Sequence, residues 1–247
     1  MLDYDKEAER YDTLRGGEPR AAAAAEAVLG LLPDGTRRLL DVGCGTGIVT
    51  RRLAAARDGL CVTGVDLALN MARQAAARLP GAVLLADSRR LPCRDGRFDA
   101  VSSVWLLHLA RSAEDVRTIV GECARVLRPG GVYVTTVDKA AAHNVGSDID
   151  AVLAARPRRA ARDAAAVVES YALDHGLEPA GEARFTGHGQ GRSPRRTVAD
   201  LRRGWFVTLP PGGALADAFA ARLADLPDQD RPRPDPVFTL RAFRKAG

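Results

Sequence analysis

The chain has 247 residues, of which 46% are hydrophobic and 27% are charged, and these fractions are typical of a soluble globular protein. No apolar run approaches the roughly 20 residues that span a bilayer, and residues 1–12 lack the apolar core of a signal peptide. These features argue against a membrane protein and a secreted protein, and we expect a cytoplasmic location.

The charge and the cysteines argue against two further classes. The net charge is +5, from 36 basic and 31 acidic residues, but aromatic residues make up only 5% of the chain. Because nucleic-acid binding needs a coherent basic face, often with aromatic side chains, a nucleic-acid partner is not indicated. The cysteines form no C-x-x-C pair and have no histidine at metal spacing, so we predict reduced thiols and no metal site at Cys44, Cys61, Cys93 and Cys123.

Strand-like and helix-like patterns alternate along the first 138 residues. Apolar runs predict five strands, at 37–43, 60–66, 82–87, 98–107 and 132–138. Periodic apolar positions predict helices at 47–56, 67–79 and 112–127, the last with Ser112 as its N-cap. This order predicts an α/β fold, a doubly wound parallel sheet with helices on both faces.

The alternation loosens after Asp138. A helix is predicted over about 159–175, closed by Gly176, and another over 214–226. The sixth strand is expected in "EARFTGHG", from Glu182, and the seventh in "PVFTLRAFRK", from Pro236. The extra length of this half lies in 139–158 and 190–235, which we call the lid segments. They follow strands five and six at the carboxyl edge of the sheet, so we expect them to cover a bound molecule.

Three glycines, Gly43, Gly45 and Gly47, follow the first strand in "LLDVGCGTG". Without a Cβ they let the backbone approach a ligand closely, although a merely tight turn is an alternative. A carboxylate at the end of the second strand can accept both ribose hydroxyls of a nucleoside. The G-x-G-x-G spacing differs from the G-x-G-x-x-G of dinucleotide folds, and an acid just ahead suits a cationic ligand better than a pyrophosphate. Such acids end the first three strands, at Asp41, Asp66 and Asp87.

Five motifs in order, "LLDVGCGTG", "VTGVDLALNM", "LLADSRRLP", "FDAVSSVWLLHL" and "RVLRPGGVYVTT", resemble those of class I S-adenosylmethionine-dependent methyltransferases, most closely the small-molecule branch. The resemblance covers about residues 1–138 and the last strand. It implies a Rossmann-like fold, a mostly parallel seven-stranded sheet whose antiparallel last strand lies beside the sixth. It also implies one methyltransferase domain over 1–247, with a cofactor-binding core at 1–138, an acceptor lid in the lid segments and the last strand at 236–247.

The same resemblance implies which residues bind S-adenosylmethionine. Asp41 would hold the ammonium, Asp66 the ribose, and residues 87–88 the adenine, while the segment Tyr4 to Arg15 would fold over the cofactor. Met71 is equally well explained as a core residue. The implied cofactor-binding residues are Tyr11, Arg15, Asp41, Gly43, Cys44, Gly45, Gly47, Asp66, Leu67, Met71, Asp87, Ser88 and Ser103.

A small-molecule acceptor is expected between the cofactor and the lid segments. Arginines in the second lid segment favour an acidic acceptor, although a solvated helix face, or pairing with acids such as Asp200, is an alternative. His108 is the candidate catalytic base, because a neutral imidazole can take a proton from the acceptor; the alternative is a support for its loop. The expected acceptor-binding residues are Trp105, Trp205, Arg195 and Arg196.

Two other functions stay open at this point. The basic charge would suit methylation of tRNA or protein, and a non-methylating protein could retain the nucleoside pocket. The fourth strand is followed by "SVWL" rather than an N-P-P-Y-type tetrapeptide, which argues against methylation of exocyclic amines on bases. The sequence leaves the oligomeric state open.

Overall fold

The computed structural model describes residues 4–157, 159–206 and 208–247; residues 1–3, 158 and 207, which fall within the predicted ranges, lie outside it. The strands are β1 (Arg38–Val42), β2 (Cys61–Asp66), β3 (Val83–Leu85), β4 (Phe98–Ser103), β5 (Leu127–Val137), β6 (Leu177–Thr186) and β7 (Val237–Lys245). The helices are α1 (Tyr4–Leu14), α2 (Gly17–Leu31), α3 (Ile48–Ala55), α4 (Leu69–Arg78), α5 (Ala113–Val126), α6 (Lys139–Ala142), α7 (Asp148–Leu153), α8 (Ala165–Asp174), α9 (Pro194–Arg202) and α10 (Ala214–Ala224). A short 3-10 helix spans Leu107–Leu109.

The seven strands form one sheet in the order β3-β2-β1-β4-β5-β7-β6. Pairs from β3 to β5 are parallel, and β7 runs antiparallel to both of its neighbours, β5 and β6. The predicted doubly wound sheet with an antiparallel last strand beside the sixth is therefore confirmed. The register places Asp41 opposite Gly64 of β2 and Ser102 of β4, so the carboxyl ends of the first strands meet at one edge.

Each face of the sheet carries its own hydrophobic core. On one face, α5 and α8 pack on β4 and β5 through residues such as Val120 and Val168. On the other face, α2 and α3 pack through Val28 and Leu53, together with Phe238 of β7. Helices on both faces cover the parallel strands, which explains why β1 and β5 read as continuous apolar runs rather than alternating ones.

The lid segments share a third hydrophobic cluster. Ile149 and Leu153 of α7 pack with Leu201 of α9 and with Phe219 and Leu223 of α10. Since α7 belongs to the first lid segment and the other two helices to the second, the two segments fold against each other. Their predicted role over an acceptor stays a prediction. In the parts of the chain that the structure describes, no helix combines the length and the apolarity of a membrane crossing.

Several element boundaries differ from the predictions. The fourth strand ends at Ser103 instead of 107, because Trp105 adopts a φ of 57° in a turn. The helix expected from residue 159 begins at Ala165, since Asp163 is held outside it by accepting from the backbone N–H of Lys139. The sixth strand begins at Leu177 rather than Glu182, and its exposed polar start carries no apolar alternation.

Other boundary signals are confirmed. Ser112 is the N-cap of α5, and its hydroxyl accepts from the backbone N–H of Asp115 at 3.0 Å. Gly176 follows α8 with a φ of 71°, the left-handed conformation that a glycine adopts after a helix. The predicted helices around α3, α4 and α10 are all present.

Candidate active site

The loop between β1 and α3 has a conformation that requires glycine. Gly43, Gly45 and Gly47 have φ values of 74°, 56° and 76°, in the left-handed region. The N–H of Gly43 donates to the carbonyl of Val65 in β2, with an N···O distance of 2.7 Å. A Cβ on Gly47 would lie 2.9 Å from Ala75 of α4, whereas a Cβ on Gly45 would meet no atom within 4 Å. The tight turn accounts for Gly47, and the open side of Gly45 leaves room for a ligand.

Asp66 ends β2 directly beside this loop. Its carboxylate accepts from the backbone N–H of Gly45 at 2.8 Å and from that of Ala68 at 2.9 Å. Burial raises the pKa of the carboxyl, although these backbone donors oppose the rise. Each oxygen retains a free lone pair, so the carboxylate can hold the loop and still accept hydroxyl donors from a ligand.

Asp41 lies deeper, behind the loop. Its side chain is only 3% exposed, and it accepts from the hydroxyls of Thr50 at 2.6 Å and of Ser102 at 2.8 Å. Burial raises the pKa of this carboxyl, while the two hydroxyls oppose the rise. Its observed partners tie β1 to α3 and β4; its predicted contact with an ammonium group stays a prediction.

The residues expected near an adenine have a more open environment. Asp87 follows β3, and its carboxylate forms an ion pair with Arg89 at 2.6 Å, which lowers the pKa of the carboxyl. Leu67, after β2, is 65% exposed, and Ser88 is half-buried. Asp87 thus has a partner on the surface, and Leu67 offers an uncovered apolar side chain beside the end of the strand.

Two further predicted residues are packed inside the molecule. Cys44 is buried against Gly64, where an added Cβ would come within 2.9 Å of its sulfur, and burial raises the pKa of its thiol. Met71 of α4 is 2% exposed. The burial of Met71 agrees with its interpretation as a core residue, and Cys44 fills the space between the loop and β2.

Helix α1 lies across the glycine loop and the start of α4. Asp12 accepts from the hydroxyl of Thr46 in the loop at 2.7 Å and forms an ion pair with Arg78 at 2.7 Å. Tyr4 and Tyr11 face each other, with ring centroids 6.1 Å apart. Burial raises the pKa of Tyr4, and the nearby Asp66 carboxylate adds to the effect. The segment therefore covers the same edge of the sheet as Asp66.

Ser103 differs from its expected placement. Its hydroxyl is fully buried and makes hydrogen bonds with the hydroxyls of Tyr133 at 2.7 Å and Thr135 at 2.8 Å, inside the sheet. Both partners belong to β5, so the side chain joins β4 to β5. Its polar atom is directed at these partners, rather than at a methionine part beyond the strand end.

Trp105 lies at the strand end and contacts an arginine that sequence reasoning missed. Its indole packs edge-on against Phe185 and Phe238, with centroids 5.5 Å away in each case. The guanidinium of Arg20 lies 4.3 Å from the centroid of the indole ring and 5.7 Å from that of Tyr11. Arg20 is 4% exposed, and its Nε has no hydrogen-bond partner among the described residues. The available signal was a single basic residue within the alanine-rich α2.

His108 lies in the short 3-10 helix after β4. Burial, followed by the charges of Lys139, His143 and Arg15, keeps the pKa of this imidazole well below its usual value. It is therefore neutral at pH 7, as a base must be. No hydrogen bond of this imidazole occurs within the described ranges, and both the base role and the loop-support role stay predictions.

The arginines predicted to bind an acceptor have other partners. Arg195 forms an exposed ion pair with Asp230 at 2.7 Å, and Arg196 donates to the backbone carbonyl of Leu14 at the end of α1. Trp205, in the same lid segment, is covered by the guanidinium of Arg15 at 3.6 Å. The prediction that Arg195 and Arg196 form the acceptor site is thus not supported by their contacts, whereas Trp205 does face the N-terminal helix.

Other basic side chains lie between α1 and the lid segments, and no motif in the sequence indicated that they would meet there. Arg192, Lys139 and His143 come from both lid segments, and Gln190 adds a buried amide whose Nε2 has no partner among the described residues. No group of three or more His, Cys, Asp or Glu side chains suited to a metal ion occurs in the described part of the chain. Acidic side chains thus lie at the ends of the first strands, and cationic side chains lie in the lid segments.

Comparisons with known proteins identify the kind of domain in the first half of the chain. A family model described as a methyltransferase domain matches residues 40–135. The malonyl-[acyl-carrier protein] O-methyltransferase of Geobacter sulfurreducens is 42% identical over 93 residues, which are 34% of this chain and 35% of that protein. The chain spans less than half the length of the first curated relatives that it matches.

Two solved structures share the fold at low identity. The [4+2]-cyclase SpnF superposes with a TM-score of 0.63 and 22% identity, over 98% of this chain and 93% of that chain. The geranyl diphosphate C-methyltransferase of Streptomyces coelicolor, solved with Mg²⁺, geranyl diphosphate and S-adenosyl-L-homocysteine, has a TM-score of 0.54 and 18% identity, over 91% and 79%.

Proposed function

Because residues 40–135 of this chain are a methyltransferase domain of the class I S-adenosylmethionine-dependent family, we propose that the protein transfers a methyl group from S-adenosylmethionine to a small-molecule acceptor. The relatives named above include methyltransferases that act on malonyl-[acyl-carrier protein] and on geranyl diphosphate, which supports this class of acceptor. The observation that carries the proposal is the carboxylate of Asp66, bonded to Gly45 of the open glycine loop beneath α1.

The residues at this edge fit the cofactor. Gly45 leaves open space beside its backbone, and Asp66 has lone pairs available for ribose hydroxyls. Arg20, buried with an unpartnered Nε, would bind the carboxylate of the methionine part. When bound, S-adenosylmethionine supplies an electrophilic methyl group on a sulfonium centre.

The chain's own residues would then orient the acceptor and exclude water. In-line displacement depends on alignment, so the contact of α1 with the lid segments through Arg15 and Trp205 would hold both reactants in place. His108, neutral and without a hydrogen-bond partner among the described residues, would take a proton from a hydroxyl or amine acceptor.

Direct measurement separates methyl transfer from other uses of the fold, since a cyclase shares it. We expect calorimetry to show binding of S-adenosylhomocysteine, with NAD at least about tenfold weaker, because the loop lacks the dinucleotide spacing. Mass spectrometry of reactions with candidate acceptors should then detect S-adenosylhomocysteine formed from S-adenosylmethionine. Binding without turnover on any acceptor class would favour a non-methylating protein, and salt-sensitive RNA binding would favour a tRNA substrate.

A further inference from the structure

Three cationic side chains meet between α1 and the lid segments. Asp200 is near Arg15 and Arg192, and Asp163 is near Lys139, but none of these carboxylates is close enough to form an ion pair. Arg15, Lys139 and Arg192 make no ion pair within 4 Å to any described residue. Two other lid arginines, the exposed Arg195 and the half-buried Arg233, have carboxylate partners at 2.7 Å and 2.6 Å. Unpaired cations in a partly buried place are costly, so their convergence needs an explanation.

Backbone contacts bring these residues together. The turn at Gly16, next to Arg15, packs so closely on the 188–189 segment that a Cβ on Gly16 would overlap the carbonyl of His188. That contact places the end of α1 beside the start of the second lid segment. His143 lies one helical turn after Lys139, on the same face of α6, and lines a narrow cleft with Gln190 and Arg192. Residues from three distant parts of the chain therefore share one location.

The polar atoms left over at this location are donors. The Nε2 of Gln190 and the indole Nε1 atoms of Trp105 and Trp205 are buried with no hydrogen-bond partner among the described residues. Arg15 is placed over Trp205 at 3.6 Å, and Arg192 lies 5.6 Å from the centroid of Phe206, so aromatic rings hold the guanidinium groups in position. A set of fixed donors and cations is complementary to oxygen acceptors with negative charge.

We propose that Arg15, Lys139 and Arg192 form a binding site for an anionic oxygen group, a carboxylate or a phosphate, carried by the acceptor. The proposal rests on the proposed function, which places the cofactor at the edge of the sheet formed by Gly45 and Asp66. This set of cations takes the acceptor-binding role predicted for Arg195 and Arg196, whose side chains bind Asp230 and the carbonyl of Leu14. The sulfonium charge of the cofactor would be repelled by this cluster, and an anionic acceptor between them removes that repulsion.

The protonation of Lys139 gives the site a measurable property. Burial and the neighbouring cations lower the pKa of Lys139 to about 8. An anion bound there would raise this pKa, so binding near pH 8 should take up a proton, and affinity should fall as the pH rises through about 8. The charged and titratable groups facing Lys139 are Arg15, Arg20, Arg192, Asp163, His108 and His143. The two histidines have pKa values well below the usual one and stay neutral at pH 8.

The test uses the full chain saturated with S-adenosylhomocysteine, titrated with inorganic sulfate and with acetate at constant ionic strength. Neither probe titrates near pH 8. We expect saturable binding of at least one probe, weakened about 10- to 100-fold in Lys139→Met and Arg192→Gln. The matched control is Arg195→Gln, which removes the same charge from an exposed ion pair and should leave the affinity unchanged. Tighter binding of sulfate would indicate an acceptor with a phosphate group, and tighter binding of acetate would indicate one with a carboxylate.

Proton uptake is measured by calorimetry at pH 8 in two buffers of different ionisation enthalpy, and it should vanish in Lys139→Met. Absence of saturable binding, or equal weakening in Arg195→Gln, overturns the anion site. The proposed function fails separately, if S-adenosylhomocysteine does not bind to the wild-type protein. Circular dichroism checks that each variant is folded. If Lys139→Met is unfolded, the anion site is tested by the binding loss in Arg192→Gln and by the pH dependence of the wild-type affinity.

Discussion

The guanidinium of Arg15, at the end of the N-terminal helix, lies 3.6 Å from the centroid of the Trp205 ring in the second lid segment. This contact joins the segment that covers the glycine loop to the segment expected to cover an acceptor. The two covering segments are therefore in direct contact, although 190 positions of sequence separate the two residues.

Replacing Trp205 with alanine should weaken acceptor use. A partly buried cation–π contact is worth about 0.5–2 kcal/mol, so we expect the KM for the acceptor to rise roughly 2- to 30-fold. Affinity for S-adenosylhomocysteine should change by no more than a few-fold. Leu215→Ala, at a 48% exposed position of the same lid segment, serves as the control in steady-state assays. Lost cofactor binding with normal acceptor kinetics would place Trp205 in another role.

Asp66→Ala should reduce the affinity for S-adenosylhomocysteine more than any other single carboxylate change. Charge-assisted hydrogen bonds to two ribose hydroxyls, and the bond that fixes Gly45, are lost together. This corresponds to about 2–4 kcal/mol, or roughly 30- to 1000-fold, in calorimetric titration. Asp230→Ala removes a carboxylate from the surface and should leave the affinity intact. An unchanged dissociation constant in Asp66→Ala contradicts the assigned ribose role.

Arg20→Met tests the carboxylate contact by comparing two ligands. S-adenosylhomocysteine should bind about 10- to 100-fold more weakly to the variant, whereas 5′-methylthioadenosine, which lacks the amino acid part, should bind equally to both proteins. Arg10→Met, at an exposed position of α1, is the control. Equal losses for both ligands would indicate that Arg20 only supports the fold.

His108→Asn and His108→Gln retain a polar side chain but cannot act as a base. If His108 takes the acceptor proton, both should lower kcat by about 10²- to 10⁴-fold with cofactor affinity intact. Because the pKa of His108 is depressed, the wild-type rate should be lost on acidification only well below pH 6.5. That limb of the pH–rate profile should be absent from the variants. Turnover close to wild type in either variant would eliminate the base role.

Gly47→Ala should destabilise the fold. The residue has a φ of 76°, and its Cβ would lie 2.9 Å from Ala75, so we expect a loss of about 1–3 kcal/mol in the free energy of unfolding. Gly30→Ala offers the opposite case, since it lies in α2 with no atom within 4 Å of the added Cβ. It should add about 0.5–1 kcal/mol. Urea denaturation followed by circular dichroism measures both, and a neutral Gly47→Ala would mean that the loop relaxes freely.

The alternating strands and helices of the first half could be predicted because each shows a strong period and a clear terminal residue. Ser112 and Gly176 are local signals, and both act as predicted. The start of β6 was missed because an exposed, polar edge strand has no apolar alternation; pairing with β7 determines it.

The lid side of the site could not be predicted from local pattern. The face that α9 presents to the protein is fixed by Thr197 and Leu201, which are buried, and this turns Arg195 outward to Asp230. Lys139 and Arg192 meet only because the two lid segments fold together. Long-range contacts of this kind leave no signature in the spacing of residues.

The cluster formed by α7, α9 and α10 has a consequence for protein engineering. Its apolar side chains come from two stretches of chain separated by β6, yet they are complementary to each other. A chimera that exchanged only one stretch with a relative would leave half of a small core without its counterpart, and misfolding or aggregation would follow. Exchange of both stretches together would transfer a complete hydrophobic cluster. Acceptor preference should therefore be transferable between such proteins only when both stretches are exchanged.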